Sequence, residues 1–414
     1  MLALCRDGPD GTPLDDTTRA ALARRVETWA EQGIRALAVA TRRLAGTGPF
    51  GHEVETGLTL AGFVTFLDRP KEGAARALTD LRGLGVSVRL ITGDSLPVAR
   101  HLAAMVGMPA RRILTGRELE ALGPEAVAPA VEASDLFVEV DPAQKERIIR
   151  ILQAGGHTVG FLGDGVNDAP ALHAADVGLA VDQAVDVARE AADLVLLERG
   201  LDIIRRGIEE GRRTFANTLK YILMTTSANL GNMVSMAGVS LFLPFLPLTA
   251  GQILLNNLLS DIPAVGIAED RVDPELVDRP RRWEVRAIGR YMLAFGLLSS
   301  AFDVLTFAVL LAGFHASAPV FRTGWFVESL LTELSVALVV RTRRPTLRSR
   351  PGTLLLVSTL LLLALAVAIP YLPGAGVFGL RPLPAPVLAA VLGITLAYVV
   401  ATEVQKRWYY RLRP

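Results

Sequence analysis

The stretch Gly163-Asp164-Gly165-Val166-Asn167-Asp168 concentrates the residue types that bind a cation. Glycines on both sides of Asp164 allow a tight turn, and carboxylates four residues apart can converge on one hard ion. Mg2+ prefers a few carboxylates, with waters and phosphate oxygens completing its shell. Upstream, Thr92-Gly93-Asp94 offers a hydroxyl and pliable backbone amides where a phosphate could be held. Lys145 follows Asp141-Pro142, the start signal of a helix, and carries a point charge able to reach a phosphoryl oxygen.

These groups need a scaffold that turns them toward one place. Apolar runs that read as strands lie at Leu60–Phe66, Val86–Ile91, Leu136–Val140, Thr158–Leu162, Val177–Val181 and Leu194–Leu197. Helical patterns separate them: Lys71–Leu84, stopped by Gly85, and Pro142–Gln153, capped by Asp141 and ended by Gly155-Gly156. Such alternation implies an α/β domain with a parallel sheet covered on both faces. In these sheets ligands bind beyond the carboxyl ends of the strands, where Thr92-Gly93-Asp94 and the 163–168 stretch fall. Residues 1–57 fit less cleanly, with a helix expected over Leu14–Gly33 and a strand over Arg35–Ala40, as the remnant of a further domain.

The whole chain has 414 residues, 43 basic and 42 acidic, so no global field draws it to nucleic acid. Its single cysteine, Cys5, excludes an intrachain disulfide framework and any cysteine-cluster metal site. An apolar share of 51% beside 21% charged residues is reconciled by uneven distribution. Beyond about residue 213, apolar stretches at 221–243, 248–268, 289–312, 325–340, 353–372 and 384–403 predict six membrane spans. The 325–340 stretch is short and carries Glu328 and Glu333. Arginines crowd the links 269–290 and 341–350, and Lys406, Arg407, Arg411 and Arg413 the tail, whereas the alternate links hold only Arg322 and Arg381. The soluble half and the C-terminus are therefore expected on the cytoplasmic side. Inside the spans, Asp261 has Asn257 one turn before it, and Asn229 and Asn232 lie in the preceding span. An intramembrane charge needs a partner or a hydrated cavity, so these four residues are the expected transport-ion site. Asp303 and Glu328 are expected to be structural, and Glu333 to lie near the cytoplasmic interface.

GDGVNDAPAL (163–172), with TGD (92–94) and DPAQK (141–145) in the same order, resembles the phosphorylation domain of the P-type cation-transporting ATPases, which has the haloacid-dehalogenase-like fold. FLDRPKEGA (66–74), EGRRTFANTLKYILMT (210–225), NNLLSD (256–261), DRVDPELVDRPRRW (270–283) and RTRR (341–344) are similar to the bacterial magnesium-transporting subgroup, type III B. The resemblance implies ATP as substrate, Mg2+ as catalytic cofactor, a divalent cation as cargo, contact with membrane lipid and a place in the bacterial inner membrane. It implies that Asp164 ligates the catalytic Mg2+, with Asp168 and Asn167 organising that site. Thr92, Gly93 and Lys145 would hold the phosphoryl group, and Asp94 would act near the nucleotide and a hinge. Phosphoryl transfer consists largely of positioning and charge neutralisation, for which a metal, a lysine and a hydroxyl are the expected equipment.

In that family an aspartate in D-K-T-G-T attacks the γ-phosphate, and this sequence contains neither D-K-T-G nor T-G-E. The chain thus reads as the C-terminal part of a pump, expected to be inactive without its N-terminal part, whether that is the same gene or a separate chain. The expected division is a nucleotide-domain remnant (1–57), a phosphorylation domain (58–200), a helical stalk (201–220) and a transmembrane domain with a cytoplasmic tail (221–414). Two alternatives stand beside this: a calcium-type pump, and a stand-alone membrane protein whose ATPase half is degenerate.

Overall fold

Asp15 opens the first long helix by accepting a hydrogen bond from the Thr18 amide at 2.8 Å, a side-chain cap for an otherwise unpaired donor. The computed structural model describes residues 1–44, 51–67, 69–198 and 200–411 and divides into two units, Met1–Gly207 and Ile208–Pro414. Asp68 of the FLDRPKEGA segment and Arg413 of the basic tail lie outside the described residues.

The first unit begins with β1 (Cys5–Asp7), α1 (Asp16–Glu31), β2 (Ile34–Thr41) and β3 (Leu58–Leu67), in a sheet of order β1-β3-β2. β2 and β3 pair antiparallel from Ile34 opposite Leu67 to Thr41 opposite Thr59. The Leu60–Phe66 run therefore belongs to this sheet and not, as expected, to the parallel one. β2 alternates half-buried and exposed residues, the pattern of a strand with one covered face, which suits antiparallel pairing.

The chain then alternates as anticipated: α2 (Ala74–Gly83), β4 (Leu90–Ile91), α3 (Leu96–Met105), β5 (Ile113–Thr115), α4 (Gly116–Ala121), α5 (Pro124–Ala133), β6 (Leu136–Val138), α6 (Pro142–Ala154), β7 (Gly160–Gly163), α7 (Ala169–Ala174), β8 (Val177–Val181), α8 (Asp186–Ala191) and β9 (Leu194–Leu196). The strands form two three-stranded parallel sheets, β4-β6-β5 and β7-β8-β9. Leu136, Phe137 and Val138 are fully buried because β6 is flanked on both edges. Their cores meet at Ile91 and Val159, which pack against both. β4 is shorter than the Val86–Ile91 run because the Val86 amide is used to close α2 on Leu81 O, and pairing with β6 starts only at Leu90. β5, a three-residue strand, had no separate signal in the sequence.

The remaining helices are α9 (Asp202–Ser240), α10 (Ala250–Val265), α11 (Val285–Ala308), α12 (Ala318–Val340), α13 (Thr353–Ala368) and α14 (Ala385–Arg411). Four helical stretches are long and apolar enough to cross a membrane: Val285–Gly313, Ala318–Val340, Thr353–Tyr371 and Ala385–Arg411. The other two expected spans do not meet that standard. α10 has 16 residues, about 24 Å at 1.5 Å each, against a hydrocarbon layer of about 30 Å. α9 continues the charged 201–220 stretch without a break, and its apolar part is diluted by Thr225, Thr226, Ser227, Asn229 and Asn232. Conversely, the short 325–340 span is a 23-residue helix, 83% buried in its central window where the others reach 28–39%. α12 is thus the axis of the second unit, and Trp325, Phe326, Val327 and Leu330 form its core with residues of α10, α11, α13 and α14.

Below that core sits a dry ionic knot. The Asp270 carboxylate accepts from Lys220 Nζ at 2.7 Å, from Arg341 Nη1 at 3.2 Å and from the Gly352 amide at 2.7 Å. Burial pulls the Lys220 amine below its ordinary value, while Asp270 works against that shift. Removing one partner from such a group typically costs about 3–5 kcal/mol, because the others stay buried and uncompensated. Asp270→Ala should therefore lower the unfolding midpoint of the detergent-solubilised chain sharply; an unchanged midpoint would show that these charges are solvated.

Candidate active site

The catalytic candidates converge at the carboxyl ends of β4, β6 and β7. Asp141 and Gln144 cap α6 reciprocally: Asp141 Oδ1 accepts from the Gln144 amide at 2.7 Å and Gln144 Oε1 from the Asp141 amide at 3.0 Å. With Pro142 in the first turn, the helix start is fixed and so is the direction in which Lys145 leaves it. Lys145 Nζ donates to Asp168 Oδ1 at 2.7 Å, both side chains largely shielded.

Asp168 is held from the other side as well. Its Oδ2 accepts from the amides of Asp164 and Gly165, each at 3.1 Å, closing the glycine-rich turn on itself. Gly163 is required there: a Cβ at that position would lie 2.6 Å from the Asp168 Cβ. Burial raises the Asp168 carboxyl, but the hydrogen bonds from Lys145 and Gly165, the lysine charge and the Asp164 amide outweigh it and hold the group below its ordinary value. Asp168 is therefore an ionised acceptor engaged at both oxygens. Asp164 differs: it is exposed, its carbonyl accepts from the Val185 amide at 3.1 Å, and no hydrogen bond or ion pair engages its carboxylate among the described residues. Asn167 is exposed beside it.

Thr92 continues β4, its amide bonded to Phe137 O at 2.9 Å, and its hydroxyl accepts from the Asp94 amide at 3.1 Å. Gly93 is exposed between them. The Asp94 carboxylate is paired with Arg35 of β2, a partner 59 residues away that no local signal marks. The donor set fits a Mg2+ held by the free Asp164 carboxylate with water and phosphate oxygens, and Asp168 Oδ1, which accepts only from Lys145, keeps a lone pair for the same ion. Among the described residues no group of three or more His, Cys, Asp or Glu side chains is placed to hold a metal ion.

The membrane candidates separate into two faces of α10. Asn257 and Asp261 are exposed on this chain, as is Asn229 of α9; Asn232 is half-buried, 3.4 Å from the Ser329 hydroxyl. Asn256, on the inner face, donates to Glu333 Oε2 at 3.4 Å, while the Ser260 hydroxyl donates to the Asn257 carbonyl at 3.1 Å. Glu333 is half-buried beside Asn256, toward the C-terminal end of α12. The signal available for it was a pair of glutamates, Glu328 and Glu333, in an otherwise apolar stretch. Asn232, Ser329 and Glu333 line a small cavity of about 20 Å3 between α9, α11, α12 and α14, room for about one water.

Comparisons with known proteins bear on both units. Residues 3–176 match the family described as haloacid dehalogenase-like hydrolase, and residues 245–408 the one described as Cation transporting ATPase, C-terminus. A magnesium-transporting ATPase, P-type 1, of Salmonella typhimurium is 43% identical over 412 residues, 98% of this chain and 46% of that protein. Its namesake in Escherichia coli K12 is 42% identical over 405 residues, 96% of this chain and 45% of that protein. An endoplasmic reticulum calcium ATPase of Aspergillus fumigatus is 33% identical over 308 residues, 69% of this chain and 31% of that protein. The chain spans about half the length of the curated relatives it matches. The order of its motifs, its haloacid-dehalogenase-like unit and its apolar helical unit agree with those matches: the chain belongs to the P-type cation-transporting ATPase family.

Proposed function

We propose that this chain works as part of an ATP-driven pump that moves Mg2+ across the inner membrane of a bacterium, with the first unit and the C-terminus in the cytoplasm. The observation that carries the catalytic half is the division of labour between Asp164 and Asp168: one carboxylate is locked to Lys145, the other left free at the end of β7. Bound Mg2+ would neutralise charge on a transferring phosphoryl group. Asp164 would hold the ion, Lys145 would offer its remaining donors to phosphoryl oxygens, Thr92 and the Gly93 backbone would receive the phosphate, and Asn167 and Asp168 would keep the turn in shape. Asp94 and Arg35 form a charged pair at the rim where nucleotide would approach.

For the cargo, 43% identity over nearly the whole chain to a magnesium-transporting protein, against 33% over 69% of it to a calcium ATPase, favours Mg2+. Asn257, Asp261, Asn229 and Asn232 are the residues we assign to the ion path, with the exposed carboxylate and carboxamides suiting a partly hydrated ion. This sequence holds no D-K-T-G-T segment. Purified alone and given radiolabelled ATP, the chain is expected to form no acid-stable phosphoenzyme; label retained on it would reveal a nucleophile elsewhere and undo the assignment.

A further inference from the structure

Three helices of the second unit bring polar groups to one dry point. Asp303 of α11 is 3% exposed; its Oδ2 accepts from Ser235 Oγ of α9 at 2.6 Å and its Oδ1 from Trp325 Nε1 of α12 at 2.8 Å. Glu328, three residues further along α12, is 1% exposed, and its carboxyl meets that of Asp303. Tyr398 of α14 stands near both. Among the described residues no Lys, Arg or His is paired with either carboxyl, and Glu328 Oε2 has no hydrogen-bond partner although it is fully buried.

Two ionised carboxylates cannot share such a place without a cation between them. The donors decide which one keeps its charge. An indole N–H can only donate, and the Ser235 hydroxyl also donates, so Asp303 is surrounded as an anion. A buried carboxyl oxygen that receives no donor is costly unless it carries the hydrogen itself, and Glu328 Oε2 is that oxygen. We propose that Asp303 and Glu328 form a proton-binding site of the membrane unit, with one proton carried by Glu328 and directed toward Asp303. A metal ion does not suit the place. Mg2+ needs close to octahedral oxygen ligation, and the Asp303 oxygens are already taken by an indole N–H and a serine hydroxyl. The site is also separate from the exposed Asn257–Asp261 face. Losing the proton would set a second charge in the bundle core, so exchange requires water to reach α11 and α12.

The test is infrared spectroscopy of the full chain in lipid nanodiscs at neutral pH, reading the carbonyl stretch of protonated carboxyl groups and its shift in D2O. Glu328→Gln, a near-isosteric change that preserves a donor toward Asp303, is expected to delete one acid band while leaving the melting temperature nearly unchanged. Asp303→Asn is expected to keep that band at a shifted frequency, because the acceptor loses its charge. Spectra of wild type and Glu328→Gln that differ only in carboxylate stretches would overturn the proposal. So would an acid band that Asp303→Asn deletes or leaves unmoved, and this second variant decides the matter if the first does not fold.

Discussion

Asp164→Asn, introduced into a pump that joins this chain to a D-K-T-G-T segment and its preceding spans, is expected to abolish phosphoenzyme formation from ATP while leaving folding intact. The two halves of that expectation have separate origins. The contacts that close the glycine-rich turn are made by Asp168, through Lys145 and two backbone amides, and by the Asp164 backbone. The Asp164 side chain contributes none of them, so an amide of the same shape leaves the turn standing. It does remove the free anion that would hold the metal against the phosphoryl oxygens. Losing one preorganised charge-stabilising group from a transition state typically costs about 10²–10³-fold in rate, and a metal ligand belongs at the upper end. Asp168→Asn should behave differently: by weakening the Lys145 pair it should lower stability and activity together. Normal levels of acid-stable phosphoenzyme in Asp164→Asn would remove Asp164 from the metal site.

The second large effect is expected at Asp261. In the same completed pump, Asp261→Asn should eliminate Mg2+-dependent growth rescue of a transport-deficient strain. Residues that merely orient a metal ligand already cost about 10–100-fold in affinity when changed, and Asp261 would be the only charged ligand on the outward face of α10. Asn257, one turn earlier on that face, should give a weaker loss, because a neutral oxygen contributes less to a divalent ion than a carboxylate. Ser358→Ala is the matched control, since that hydroxyl bonds back to carbonyls of its own helix, Leu354 O at 2.7 Å and Leu355 O at 3.2 Å. Membrane-inserted Asp261→Asn that transports normally would refute the assignment. Uptake that follows Ca2+ and ignores Mg2+ would leave Asp261 in place and overturn the choice of ion.

These expectations rest on features of unequal visibility. The glycine-rich turn, the Asp141-Pro142 helix start and the strand–helix alternation were legible because each is local: caps, turns and hydrophobic periodicity act over a few residues. Lys145 and Asp168 are 23 residues apart in sequence, and nothing local says that they meet at 2.7 Å. Their pairing leaves Asp168 engaged and the Asp164 carboxylate without a bond among the described residues. The Leu60–Phe66 run shows the same limit. Its composition marked a strand, but pairing with β2 and not with the parallel strands was settled by which neighbour could cover one face.

In the membrane half, hydropathy located apolar segments, yet it ranked them by composition alone. It understated 325–340, whose Glu328 and Glu333 looked like interruptions, although α12 is the most buried helix of its unit. The sequence by itself determined the family signature, the main strand–helix alternation and the apolar segments, and the identity of the acidic and amide side chains available for chemistry, because those follow from residue type and short-range spacing. Tertiary structure alone decided which of those side chains are paired, exposed or dry: Asp168 against Lys145, Asp164 free, Glu333 under α10, and Glu328 against Asp303. Burial and partner choice are set by packing between segments far apart in the chain, and the energy of a charge depends on that packing more than on the residue that carries it.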